Sequence, residues 1–168
     1  MVLDAGSAPA DRLFNSSLHD VRGQKMFTFG LAFDCGDGRS QGPSRKWQKT
    51  TKGVNQVDKI TVAGLVKRLV EEDPLTMEFI RREALIYLAK HGAVVATISA
   101  HGDCAGNRTT KKRQLKQLRK ARKIIDNMIK SFNLGREVEV CALWVNDGHW
   151  MPEEIDPQFQ ATRYYAKV

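Results

Sequence analysis

The sequence has no apolar run approaching the ~20 residues needed to cross a bilayer, so no membrane span is expected. Its N-terminus, Met1-Val2-Leu3-Asp4-Ala5-Gly6-Ser7-Ala8-Pro9, lacks the apolar core of a secretory signal and carries an early acid. Cysteine is scarce: three in 168 residues, an odd number that argues against a disulfide framework. Together these absences point to reduced thiols in a cytoplasmic setting. Internal repeats and low-complexity segments are missing too. What is left, 42% hydrophobic and 27% charged, is ordinary material for one domain with a proper core.

The chain does have an excess of positive charge, a formal +8 from 27 Lys and Arg against 19 Asp and Glu. Ten of the 27 basic residues lie between Arg108 and Lys130, so the excess is local. Such a patch can attract nucleic acid or another anion, but it is equally the solvated face of one helix. Lys112, Lys116, Arg119 and Lys123 can share an exposed face, yet no aromatic residues interleave with them to stack bases. Nucleic acid is therefore not expected as a partner.

Residues 1–24 are read as an N-terminal arm, with a short helix over Asp11–Val21, and residues 25–168 as the catalytic domain. Lys25–Asp34 reads as a buried strand, residues 40–56 as a long polar loop, and Val57–Val62 as a second strand. Leu65–Val70 begins a short helix. Asp73-Pro74 supplies an N-cap and a first-turn proline for a longer helix that Gly92 ends. Ala93–Ala100 is a strand, and Thr110–Phe132 a basic helix whose buried stripe is Leu115, Leu118, Ile125, Met128, Ile129 and Phe132. Glu137–Val145 is the last strand, followed by a turn at Asn146–His149. Strands alternating with helices imply an α/β fold, a mostly parallel β-sheet flanked by helices.

Two strand ends carry chemistry. After the first strand come Cys35, Asp37 and Arg39 at alternate positions. After Ala93–Ala100 come His101 and Cys104. Ligands in open α/β sheets gather beyond the carboxyl ends of strands. Two thiolates and an imidazole are a donor set for zinc, and three protein ligands leave a fourth tetrahedral position open. Arg39 can hold the Asp37 carboxylate bidentately and keep it ionised beside that position. Each part alone has a bland reading. An isolated H-x-x-C is usually coincidence, Cys35 a small buried hydrophobe, and Asp37–Arg39 a surface ion pair. Their conjunction after two strands is what carries the metal-site reading. Cys141 is read as core, His91 as a helix C-terminal cation, and His149 as a turn residue.

Cys35-Gly36-Asp37-Gly38-Arg39 with His101-Gly102-Asp103-Cys104 resembles the C-x-D-x-R and H-x-x-C signature of β-class carbonic anhydrases. The similarity extends through Ala84–Val94 and Val138–Gly148. The resemblance implies a β-carbonic-anhydrase-like fold, Zn2+ bound by Cys35, His101 and Cys104, and an Asp37–Arg39 catalytic dyad. It also implies reversible hydration of CO2 to bicarbonate, and a homodimer or higher homo-oligomer. The chain departs from the family at Gly38, where serine is usual, and at Ala105-Gly106, where glycine directly follows the second cysteine. The family's Ala-Gly-Asn segment is reduced to Val62-Ala63-Gly64-Leu65. These changes touch the pocket wall more than the metal. They leave open a hydrolase for CS2 or COS on the same site, and a non-catalytic zinc protein that binds nucleic acid or anions.

Overall fold

A computed structural model describes residues 27–157. Its elements, in chain order, are β1 (Phe29–Asp34), α1 (Gly38–Lys52), β2 (Gln56–Thr61), α2 (Leu65–Val70), α3 (Pro74–Ile86), β3 (Val95–His101), α4 (Lys111–Lys130), β4 (Glu139–Val145) and β5 (Pro152–Ile155). The five strands form one sheet in the order β2-β1-β3-β4-β5. The first four run parallel, and β5 is antiparallel to β4 at the edge. β1 and β3 are buried almost throughout, which is why they read as near-continuous apolar runs rather than alternating ones. From β1 the chain steps sideways to β2, then crosses back to lay β3 on β1's other flank. The connections leaving β1 and β3 therefore diverge and open a crevice at the carboxyl ends of those two strands.

The two faces of the sheet are covered differently. On one, α2, α3 and α4 bury a continuous apolar core that includes Leu31, Phe33, Ile98, Leu69, Ile80, Leu118 and Ile125. Asp73 caps α3 by accepting from the Thr76 amide, Thr110 caps α4 by accepting from the Arg113 amide, and Gly92, at φ 70°, ends the α3 segment after one π-turn. These elements lie where the sequence placed them. On α4, Leu118, Ile125, Met128 and Ile129 are buried as expected, whereas Leu115 and Phe132 are only partly so. Gln114 and Ala121 fill the stripe beside them.

The opposite face is covered by α1, and here the structure corrects the sequence reading. Residues 40–56 were expected to form a loop, but 38–52 are helical. The helix buries no apolar stripe: its sheet-facing residues are Ser40, Ser44 and Gln48, four apart and fully buried. Gln48 Nε2 donates to Leu31 O at 3.1 Å and to Thr97 Oγ1 at 2.7 Å, so the fully buried part of the contact is polar, beside a small apolar cluster in which Trp47 packs on Val95 and Cys141. Pro43 lies inside the helix and removes one helical N–H, while Asp37 caps one end and Gly53 (φ 70°) closes the other.

Two boundaries also differ. β1 begins at Phe29 rather than Lys25. Glu139–Val145 is not the last strand, because the 146–151 turn leads into β5, whose Pro152 stands at the first position of an edge strand. The helix expected over residues 11–21 lies outside the described residues. Among the described residues, no helix is long and apolar enough to cross a membrane.

Candidate metal centre

Cys35 follows β1 directly, His101 ends β3, and Cys104 lies three residues further on, so the crevice between β1 and β3 receives all three. One sulfur from each cysteine and a ring nitrogen of His101 lie within 4.8 Å of one another, and all three residues are buried. The two sulfurs are 3.7 Å apart. Two thiolates held at about 2.3 Å from a tetrahedral zinc stand roughly 3.8 Å apart, so this spacing suits the metal. His101 Nδ1 lies 2.6 Å from the Gly102 carbonyl and donates its proton there, which leaves Nε2 as an acceptor. Nε2 is buried without a hydrogen-bond partner. A buried, orphaned lone pair beside two thiols is costly unless something else uses it. Zinc fits this donor set.

The surrounding groups stabilise negative charge on sulfur. The contact with Cys104, helped by the His101 ring and the amides of Asp37 and Gly64, holds the Cys35 thiol far below its ordinary range despite burial. The same contact pushes Cys104 up, because without a cation the close pair shares one proton. Burial lowers the His101 pKa, but Cys35, the Gly102 carbonyl and Asp37 outweigh it, and the net shift is upward. Gly64 N–H reaches Cys35 Sγ at 3.4 Å. That approach depends on two glycines. A Cβ at Gly64 (φ 64°) would fall 2.5 Å from Gly106 O, and one at Gly106 would fall 2.6 Å from Gly64 N. The turn before α2 and the cysteine loop thus meet backbone to backbone, with room for no side chain.

Asp37 and Arg39 form the expected pair, with a further structural role. Arg39 Nη2 is 2.7 Å from Asp37 Oδ2, and Arg39 Nε is 3.0 Å from Oδ1. Oδ1 also accepts from the Arg39 amide at 3.0 Å, so Asp37 is the N-cap of α1. The guanidinium, and then the amide, hold the Asp37 pKa down to about 2. An ionised carboxylate therefore stands at the rim, close enough to raise the His101 pKa.

Several residues around the site were not singled out from the sequence. Asp34, one position before Cys35, is fully buried; it accepts from Ser99 Oγ at 2.6 Å and lies 3.5 Å from Lys59 Nζ. Burial pushes its pKa up against the opposing pull of Ser99 and Lys59. An acid at the end of an apolar run was the available signal. Asn107 ties the cysteine loop to α4: Gln114 Nε2 donates to its carbonyl at 3.2 Å, and its side-chain amide donates to Gln117 at 3.0 Å. Cys141 is buried in the core as expected, and His91 sits 2.7 Å from Asp58 at the end of the α3 segment. A second cluster, Glu139, Cys141 and Glu154, has Lys52 Nζ 2.7 Å from Glu139, so a cation of the chain already stands there.

A family model described as "Putative carbonic anhydrase" matches residues 25–156, most of the chain. The chain belongs to the β-carbonic anhydrase family. Several solved structures are similar to it. The structures of two tetrameric β-carbonic anhydrases from Sordaria macrospora align with a TM-score of 0.50 at 12% identity, over 78% of this chain and 82% of that one. The β-carbonic anhydrase CafA of Aspergillus fumigatus aligns at 0.44 and 13% identity, over 77% and 76%. The apo form of a carbon disulfide hydrolase aligns at 0.42 and 11%, over 84% and 87%. No curated protein sequence matches the chain.

Proposed function

We propose that this family member is a zinc-dependent carbonic anhydrase that hydrates CO2 reversibly to bicarbonate and a proton, with Cys35, His101 and Cys104 as the metal ligands. The observation that carries the proposal is the convergence of two sulfurs with a partnerless His101 Nε2 in the β1/β3 crevice. Zinc, when bound there, supplies a Lewis acid that makes water acidic near neutral pH. The chain's own residues do the rest. The Gly64 amide and the Gly102 carbonyl fix the orientation of Cys35 and His101 from behind, the first by donating to sulfur and the second by holding the proton on Nδ1. Arg39 keeps Asp37 ionised with both oxygens engaged, so the carboxylate can accept a hydrogen bond from reacting water while pointing in one direction.

The pocket beside the ligands is tight. Its lining joins Leu65, Val66 and Ala100 to the polar Ser99, Asn107 and Gln114, and its space is about 10 Å³, near the lower limit for one water. We also propose a homodimer or larger assembly. Leu75, Phe79 and Ile86 stand exposed along α3, and a partner surface could cover them. On the basic α4, Arg119 pairs with the Asp156 carboxylate and Lys130 with Asp126, and no aromatic residues interleave with its cations to stack bases, so the nucleic-acid reading is not preferred.

Stopped-flow CO2 hydration with protein of measured zinc content tests the function. Acceleration over buffer that disappears in Cys35→Ala is the expected result. A zinc-loaded protein with no acceleration refutes it, and sulfide release from CS2 or COS in that case would reassign the electrophile.

A further inference from the structure

The loop joining β4 to β5 lies against the cysteine loop at Gly102. It holds its own shape: Trp150 N–H donates to Asn146 O at 2.7 Å, and the Gly148 amide donates to Asn146 Oδ1 at 2.8 Å. The carboxylate of Asp147 occupies the space where a Gly102 side chain would start, with its Cγ 2.3 Å from that Cβ position. Trp150 has φ 51°, an uncommon backbone conformation for a bulky residue. The effect of this conformation is to set the indole over the site. Its ring centre lies 4.7 Å from Arg39 Cζ and 6.1 Å from the centre of the His101 ring. Arg39 is thus held on three sides, by the Asp37 carboxylate, by Asp103 at 3.6 Å and by the Trp150 face.

Arg39 is half exposed; beyond its pairing with Asp37, the Asp103 carboxylate at 3.6 Å does little to restrain the guanidinium. An aromatic face does restrain it, because the cation is attracted to the π-cloud and gives up little hydration. The carboxylate then follows at its outer oxygen: Oδ1 is also held by the Arg39 amide, but Oδ2 takes its hydrogen bonds from the guanidinium, so where Arg39 lies sets Oδ2. We propose that Trp150 is a positioning residue for the Asp37–Arg39 dyad, acting through Arg39. Its indole face sets the guanidinium, and so aims the Asp37 carboxylate at the reacting centre. The rate effects expected below rest on the carbonic anhydrase reading, but the contact itself does not.

Three variants separate stacking from bulk. Trp150→Leu keeps an apolar side chain without a π-face, Trp150→Phe keeps a face, and Arg39→Ala removes the group Trp150 acts through. With zinc content matched, Trp150→Leu should lower kcat about tenfold and move KM by less than twofold, and Trp150→Phe should recover most of the loss. In the Arg39→Ala background, Trp150→Leu should cause no further fall, because two residues acting in series are not additive. A readout independent of turnover is the modification of Arg39 by phenylglyoxal in metal-free protein, followed by peptide mass mapping. It should speed up severalfold in Trp150→Leu and return towards the parent rate in Trp150→Phe. If the parent protein hydrates no CO2, the functional reading falls while this modification rate still decides the contact. An unchanged rate of Arg39 modification, or an equal fall in kcat with and without Arg39, overturns the proposal.

Discussion

Gln48 offers a sharp test of how α1 is attached to the sheet. It is fully buried and donates to Leu31 O and Thr97 Oγ1 from the middle of a helix whose inner face is otherwise two serines. Gln48→Ala loses two hydrogen bonds, each worth about 1 kcal/mol net. It also leaves a cavity where four heavy atoms stood, worth roughly another 1–2 kcal/mol. The expected loss is about 3–4 kcal/mol. For a domain of this size that is a fall in Tm of about 6–16 °C, at 2–4 °C per kcal/mol. Gln48→Met loses the same two hydrogen bonds but keeps the volume, so it should cost less, about 2 kcal/mol. The assay is thermal or urea unfolding with zinc in fixed excess, so that metal occupancy does not vary between variants. A Gln48→Ala protein within about 0.5 kcal/mol of the parent would refute the polar attachment.

Other expectations concern the site and its supports. Asp37→Asn should keep zinc and a capped α1, since asparagine caps as well as aspartate, yet lose about a hundredfold or more in kcat; metal analysis beside the hydration assay checks both halves. Cys35→Ala and His101→Ala should lose zinc and turnover together. Gly64→Ala should destabilise by at least about 2 kcal/mol, read by urea unfolding, because it places a Cβ against backbone at positive φ. Asp73 has a lowered folded pKa, from the Thr76 hydroxyl first and then the Thr76 amide. Its contribution is therefore complete above the unfolded carboxyl pKa and is lost as pH falls through the folded value. Asp73→Asn should remove that acid-side slope and leave near-neutral stability almost unchanged, as unfolding midpoints between about pH 6 and pH 2.5 would show.

Most of the fold was legible because its signals are local. Asp73-Pro74 and Gly92 bracket α3, and the Leu118–Ile129 stripe declares α4. The buried runs before Cys35 and His101 mark the two central strands. The cluster of Cys35, His101 and Cys104 was legible because each member stands at or just after a strand end, where an α/β sheet collects ligands. The α1 helix was not, because it packs through Ser40, Ser44 and Gln48. A polar stripe looks like a loop until the Thr97 hydroxyl and the Leu31 carbonyl that receive it are in view. β5 was missed because Pro152-Glu153-Glu154-Ile155 has an edge strand's composition, acidic and opened by proline. Trp150 and the Gly64–Gly106 contact depend on loops more than 40 residues apart meeting in space. No periodicity encodes such meetings.

The central claim is that two sulfurs and one imidazole of this chain hold a single zinc. X-ray absorption at the zinc edge of the purified protein, with metal counted per chain, tests it most directly. The account predicts one zinc per chain, with two sulfurs at about 2.3 Å and nitrogen or oxygen neighbours at about 2.0 Å. A shell without sulfur, or a folded protein that takes up no stoichiometric zinc, would contradict it.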